Sequence, residues 1–245
     1  MPETVSEVDP ATADLPHLVL IPGLLCDHNL WVHQIYHLHD IVQTHVAEVS
    51  AHDNMHDMAA AVLAAAPPTF VLGALSMGGY IALEIMRQAP ERVERLALMD
   101  TSARPDTPER TRRRLALIER AKAGRFRDVM PRLLPFQIHP DRQFDEVLTN
   151  TLFAMADRIG PEAFMRQESA IMNRIDSRPF LAAIKCPTLL VVGREDALTP
   201  PEVLMEIQAQ IPGSRLAIIE ECGHLPPIEA PQTITTLLRY WMTYG

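Results

Sequence analysis

Six short segments of this chain are almost continuously apolar, and helical patterns separate them. They read HLVLI (17–21), THVAEV (44–49), TFVLGAL (69–75), RLALMD (95–100), TLLVVG (188–193) and RLAIIE (215–220). A strand with one wet face alternates apolar and polar residues, whereas a strand that is apolar at nearly every position is covered on both faces. Helices should therefore lie above and below a mostly parallel sheet, which is α/β doubly wound architecture. The helical stretches carry matching punctuation. Residues 54–65 stop before Pro67-Pro68, and residues 77–88 stop before Pro90. Residues 200–211 open on Pro200-Pro201 and residues 231–243 on Pro231. Proline suits a first helical turn, where its missing N–H has no intrahelical partner anyway.

One interval breaks this alternation. Residues 101–187 contain no convincing strand and carry helix signals instead. Thr107 before Pro108 reads as a cap and first-turn proline, with Gly124 as terminator. A second helical pattern runs from Pro140 to Gly160, and Pro161 opens a third that reaches about Asn173. We expect an all-helical cap, residues 104–178, over a core built from 1–103 and 179–245. The cap should cover the carboxyl ends of the strands, where open α/β sheets bind ligands.

Three of those strand ends carry related chemistry. The segment VLGALSMGGY (71–80) drives an apolar run into Ser76 and then starts a helix on two glycines. Glycine disfavours helix by roughly 1 kcal/mol relative to alanine, so backbone clearance must be needed here. Such a strand–serine–helix turn is a nucleophile elbow of the Gly-x-Ser-x-Gly kind, with Ala74 in the place of the first glycine. VVGREDALTP places Asp196 just past another strand, and ECGHLPPIEAP places His224 just past the last. A serine hydroxyl needs a base to take its proton, an imidazole can do so near neutral pH, and a buried carboxylate fixes the imidazole's tautomer. The oxyanion of a tetrahedral intermediate needs donors as well. The Met77 N–H, at a helix N-terminus, is one candidate. The Leu24 N–H, in the loop IPGLLCD after the first strand, is the other.

With these segments the chain resembles the α/β-hydrolase superfamily over nearly all its length. The stretches SMGGYIALEIMRQAPERVERLALMDTSARPD and GREDALTPPE resemble its carboxylesterase and 3-oxoadipate enol-lactonase-like branch. The resemblance implies a cofactor-independent serine hydrolase that cleaves a small ester or lactone through an acyl-enzyme. Carbon–carbon bond hydrolases, thioesterases and perhydrolases share the triad, and some members of the fold are ligand receptors that barely turn over. Pro22 stands where many relatives have a histidine. Only sixteen residues precede the first strand, too few for the antiparallel hairpin that often opens the fold, so a sheet of about six strands is expected.

Competing readings exist for several residues. Asp100 also ends a strand, where some hydrolases take their acid, and Glu195 adjoins Asp196; the match of GREDALTP to the acid loop favours Asp196. His28 follows the oxyanion loop and is a candidate substrate contact, as are Leu25 and Met155, with packing as the alternative. Met130, Met155, Met165 and Met172 would give the cap a pliable lining unless they are simply core. The pairs His33/His37 and His52/His56 have helical spacing but no evident third ligand, so no metal is expected. The run containing Arg112, Arg113 and Arg114 reads first as the solvated face of a helix whose Leu115, Ile118 and Ala121 point inward. Its alternative is a cap that attracts carboxylate substrates.

The formal charge of −9 argues against nucleic acid as a partner. No apolar run approaches the roughly 18 residues of a membrane span, and no membrane partner is expected. Three cysteines without metal spacing and an acidic, Pro-containing start, MPETVSEVDPATADLP, point to a reducing compartment and a loose N-terminal arm rather than a signal peptide. A cytoplasmic monomer or homodimer acting on a small molecule is the expectation.

Overall fold

The computed structural model describes residues 15–244. The expected N-terminal arm lies outside these residues apart from its last two positions. The six apolar segments form strands β1 (His17–Ile21), β2 (Gln43–Val46), β3 (Phe70–Leu75), β4 (Val93–Met99), β5 (Thr188–Gly193) and β6 (Arg215–Ile219). They make one sheet in the order β2-β1-β3-β4-β5-β6, and every pairing is parallel. Central strands β3 and β5 are buried at every residue, while the edge strands β2 and β6 are largely half-exposed.

Alternate residues of a strand serve opposite faces, and the core divides accordingly. Val19, Ile21, Leu72 and Ala74 pack with helices α2 (Met55–Ala65), α3 (Met77–Gln88) and α7 (Pro201–Gln208). Leu18, Leu20, Val71 and Leu75 pack with α1 (Val32–Leu38) and α9 (Pro231–Tyr244). Buried leucine-sized side chains contribute about 1.5–3 kcal/mol each, so the two apolar layers hold the sheet between them. A short helix, α8 (Pro226–Glu229), precedes α9. Among the described residues, no helix is long and apolar enough to cross a membrane.

Between β4 and β5 the chain is helical: α4 (Pro108–Lys122), α5 (Val129–Gln137) and α6 (Glu146–Met172). Thr107 caps α4 by accepting from the Arg110 N–H, and Asp145 caps α6 through the Leu148 N–H. Gly160, at φ 75° and ψ 171°, breaks α6 in two where Gly160-Pro161 predicts a boundary. Helix α5 has no counterpart in the sequence reading, because Pro131 and Pro135 within it look like breakers. Leu115 also departs from expectation: it is 47% exposed, whereas Ile118 and Ala121 are buried. The inward stripe of α4 is narrow because another of its faces looks onto a cavity.

Candidate active site

Ser76 sits between β3 and α3 with φ 54° and ψ −113°, a strained conformation costing on the order of 1–3 kcal/mol. Two bonds hold it there: the Ser76 N–H donates to the Met99 carbonyl (2.9 Å), and the Thr101 hydroxyl donates to the Ser76 carbonyl (2.8 Å). The glycines after it provide clearance. A Cβ at Gly78 would collide with the carbonyl oxygens of Ile21 and Pro22, so only glycine lets α3 start against the loop after β1.

His224 Nε2 lies 2.8 Å from Ser76 Oγ, and His224 Nδ1 lies 2.7 Å from Asp196 Oδ2. Asp196 Oδ1 accepts from the Leu198 and Thr199 N–H groups at 2.8 and 3.0 Å, and Oδ2 also accepts from the Thr199 hydroxyl at 2.6 Å. Asp196 and His224 are 2% and 3% exposed. Burial opposes the charge on Asp196, but the His224 charge and the hydrogen bonds from His224 and Thr199 outweigh it and hold the carboxyl well below the usual carboxylate range.

The loop carrying His224 is braced by a residue that the sequence reading passed over. Buried Glu229 accepts from the N–H groups of Gly223, Leu225 and His139 at 3.1, 2.9 and 2.7 Å, while the His224 N–H donates to the Gln137 carbonyl (3.1 Å). The catalytic-end loop is thereby tied to the end of α5. The IEAP that follows His224 offered a sequence signal, since a glutamate five residues past the histidine falls in the first turn of the next helix. Gly193 completes the packing, because a Cβ there would strike the Gly223 carbonyl where the loops after β5 and β6 cross.

The rivals for the acid fall elsewhere. Glu195 accepts from the Cys222 N–H at 3.0 Å. Asp100, at 0% exposure, accepts from the Gly193 N–H at 2.9 Å and makes no bond to His224. Asp100, Asp196 and His224 do form one tight cluster, with their polar atoms within 4.8 Å of one another. The paired histidines are engaged by protein groups: His33 with Thr235 and His56 with Glu84.

Above Ser76 and His224 opens a cavity of about 450 Å³, walled by the cap. Leu24 lines it, and among the described residues its N–H has no acceptor. Met77 is buried at the first position of α3. The expected substrate contacts do not line the cavity. The turn at Leu25, with φ 59°, sends that side chain into the core, and its N–H donates to Gln167 Oε1. His28 is exposed on the surface beyond Asp27, and Met155 is wholly buried in the layer beneath the cap. Met130 is core as well, and none of the four cap methionines reaches the cavity.

The basic run needs a correction in part: Arg112 and Arg113 are exposed, as a solvated face requires, but the run also borders the cavity. Arg110, Arg113, Arg114 and Arg120 of α4 line the cavity with Leu117, and Arg132 of α5 joins them. Positions 110, 113, 114, 117 and 120 recur at helical spacing, a periodicity legible in the sequence that marks one face as basic. Three of these arginines are committed: Arg110 to the Leu198 carbonyl, Arg113 to Glu109, and Arg114 to buried Glu168 and Asp106. Among the described residues, Arg120 and Arg132 have no acceptor.

Comparison with known proteins agrees with this geometry. A family model described as alpha/beta hydrolase fold matches residues 48–231. The chain is 25% identical over 238 residues to the pimeloyl-[acyl-carrier protein] methyl ester esterase of Nitrosomonas europaea, covering 90% of this chain and 93% of that one. Among solved structures, a malate-bound thermophilic esterase from Thermogutta terrifontis superposes with TM-score 0.85 at 28% identity, covering 93% and 89% of the two chains. The enol-lactonase from Burkholderia xenovorans LB400 shares the fold, with TM-score 0.87 at 22% identity over 94% and 92%. A wholly parallel six-stranded sheet, an elbow serine bonded to a strand-end histidine, and a family match over most of the chain converge: the protein belongs to the alpha/beta hydrolase family.

Proposed function

We propose that this protein is a serine hydrolase that cleaves a small carboxylic ester or lactone through an acyl-enzyme. The observation that carries the reading is the continuous hydrogen-bonded line Ser76–His224–Asp196 at the floor of a cavity. Ser76 Oγ attacks the carbonyl carbon while His224 Nε2 takes its proton. Asp196, with its charge secured by four hydrogen bonds, keeps the Nδ1 proton in place and stabilises the imidazolium. The N–H groups of Leu24 and Met77 hold the developing oxyanion, each worth about 10²–10³ in rate. His224 returns the proton to the leaving alkoxide, and a water activated by the same imidazole then releases the acid. Residues 104–178 act as the cap that sets which esters enter, over a core of 1–103 and 179–245.

The unpartnered Arg120 and Arg132 support a substrate that carries a negative charge away from the scissile bond, since an arginine fork matches a carboxylate or phosphate. The relatives' printed action on a methyl ester supports a carboxylic ester as the bond cleaved. The test is turnover of a monomethyl ester of a straight-chain dicarboxylic acid against its dimethyl ester, with fluorophosphonate labelling alongside. We expect both esters to be hydrolysed, the monoester at lower KM, and Ser76→Ala to abolish labelling and turnover together. Labelling without turnover of any ester would indicate a receptor. Faster cleavage of a thioester or a carbon–carbon bond would keep the triad but overturn the ester assignment. Equal hydrolysis by wild type and Ser76→Ala would overturn the whole reading.

A further inference from the structure

Asp100 is a fully buried carboxyl beside the triad that the mechanism above leaves unused. It ends β4 at φ 44°, an uncommon conformation for a residue other than glycine. Its Oδ1 accepts from the Gly193 N–H, and its Oδ2, wholly shielded from solvent, has no hydrogen-bond partner among the described residues. A buried carboxyl oxygen left unpaired destabilises the fold. An ionised one costs more unless a cation faces it.

Among the described residues, no cation is free to do so. The charged or titratable groups packed around Asp100 are Asp196 from the loop after β5, His224 and Cys222 from the loop after β6, and Glu229 from α8. Three of these four are acidic or thiol groups. The imidazole is already bonded to Asp196 and Ser76. Asp196 itself accepts four hydrogen bonds, all that its lone pairs provide for. Two ionised carboxylates at this separation cannot both persist in a dry site, as in acid pairs that share one proton.

We infer that Asp100 is a positioning residue held as the neutral acid, with its proton on Oδ2. In this state it holds the Gly193 N–H, at the end of β5 where the Asp196 loop leaves the sheet, without adding a second charge beneath His224. Burial, and then the charge of Asp196, push the Asp100 carboxyl well above the usual carboxylate range, with the Gly193 N–H as a partial offset. The consequence is functional. One negative charge stabilises the imidazolium that forms in catalysis, whereas two would over-stabilise it and leave less free base at neutral pH. The loop glycine also gains a role, because the Gly193 N–H fixes which Asp100 oxygen remains to carry the proton.

This inference rests on the catalytic reading above, so its test combines a kinetic measurement with one that needs no turnover. Asparagine is isosteric with a protonated aspartate and keeps both a donor and an acceptor. Asp100→Asn should therefore retain wild-type kcat, KM and the acid limb of the pH profile of kcat/KM. Asp100→Ala should lower kcat by about 10- to 100-fold at unchanged KM, because the end of β5 that launches the Asp196 loop loses its anchor. An acid limb that moves down by about one unit or more in Asp100→Asn would mean that wild-type Asp100 is charged, and would overturn the inference. An Asp100→Asn variant as impaired as Asp100→Ala would overturn it too. Carboxyl-carbon NMR of ¹³C-aspartate-labelled wild type reads the proton directly, however the variants fold. One aspartate signal should stay at its protonated position between about pH 5 and 8, where an ordinary aspartate is ionised. Its absence defeats the inference even if the enzyme proves active, and its presence upholds it even if the substrate class proves wrong.

Discussion

The floor and the roof of the cavity are built on opposite principles. On the floor, both carboxylate oxygens of Asp196 are bonded, His224 is held at both ring nitrogens, and Ser76 is fixed through its backbone. The roof leaves charge unspent, for Arg120 and Arg132 face the cavity with no acceptor among the described residues. A saturated network holds atoms in one geometry, which proton transfer requires, and unsatisfied cations are what selects an anionic ligand. On the function proposed above, the difference separates chemistry from choice of substrate and assigns the two to different segments of the chain.

Substitutions can break or sharpen that contrast. On the floor, His224→Ala should lower kcat by about 10⁴-fold or more, since the nucleophile loses its base; steady-state turnover of a p-nitrophenyl ester measures it. Asp196→Asn should cost about 10³–10⁴-fold by favouring the wrong tautomer, with KM little changed. On the roof, Arg120→Ala and Arg132→Ala should each raise KM for a monoanionic ester by about tenfold, the size of one charge-assisted contact, while kcat for a neutral ester holds. Equal losses on charged and neutral esters would erase the division between floor and roof.

The smallest effect is on stability against acid. The folded-state pKa of Asp196 lies below its unfolded value, so its contribution is present above roughly pH 4 and is lost as pH falls below that. Thermal melts between pH 5 and about pH 2 should therefore fall more steeply for wild type than for Asp196→Asn. Parallel curves would mean that the floor's bonds do not depend on that charge.

How legible each part was follows from how local its signal is. The strand cores, the elbow at Ser76 and the break at Gly160 each depend on a few neighbouring residues, and all appear where the pattern puts them. Helix α5 was hidden because two prolines oppose it locally, while packing of Val129, Met130, Leu133 and Leu134 against the layer below sustains it. The arginines of α4 were visible as a run, but their destination was not. Periodicity names a face; what the face looks onto depends on where α5 and the loop after β5 lie. The supposed contacts Leu25, His28 and Met155 failed for the same reason, since nearness in sequence to the oxyanion loop or the cap does not say which way a side chain turns.

By itself, the sequence determined the layered sheet, the order serine–aspartate–histidine and the helical nature of the insert, because each arises from short-range pattern and stereochemistry. Only the tertiary structure decided that Asp100 and Asp196 share one buried space, that Glu229 braces the histidine loop, and that the basic stripe borders the cavity. These depend on distances between residues up to about a hundred and fifty positions apart, which are fixed only when the sheet closes and the cap comes down upon it.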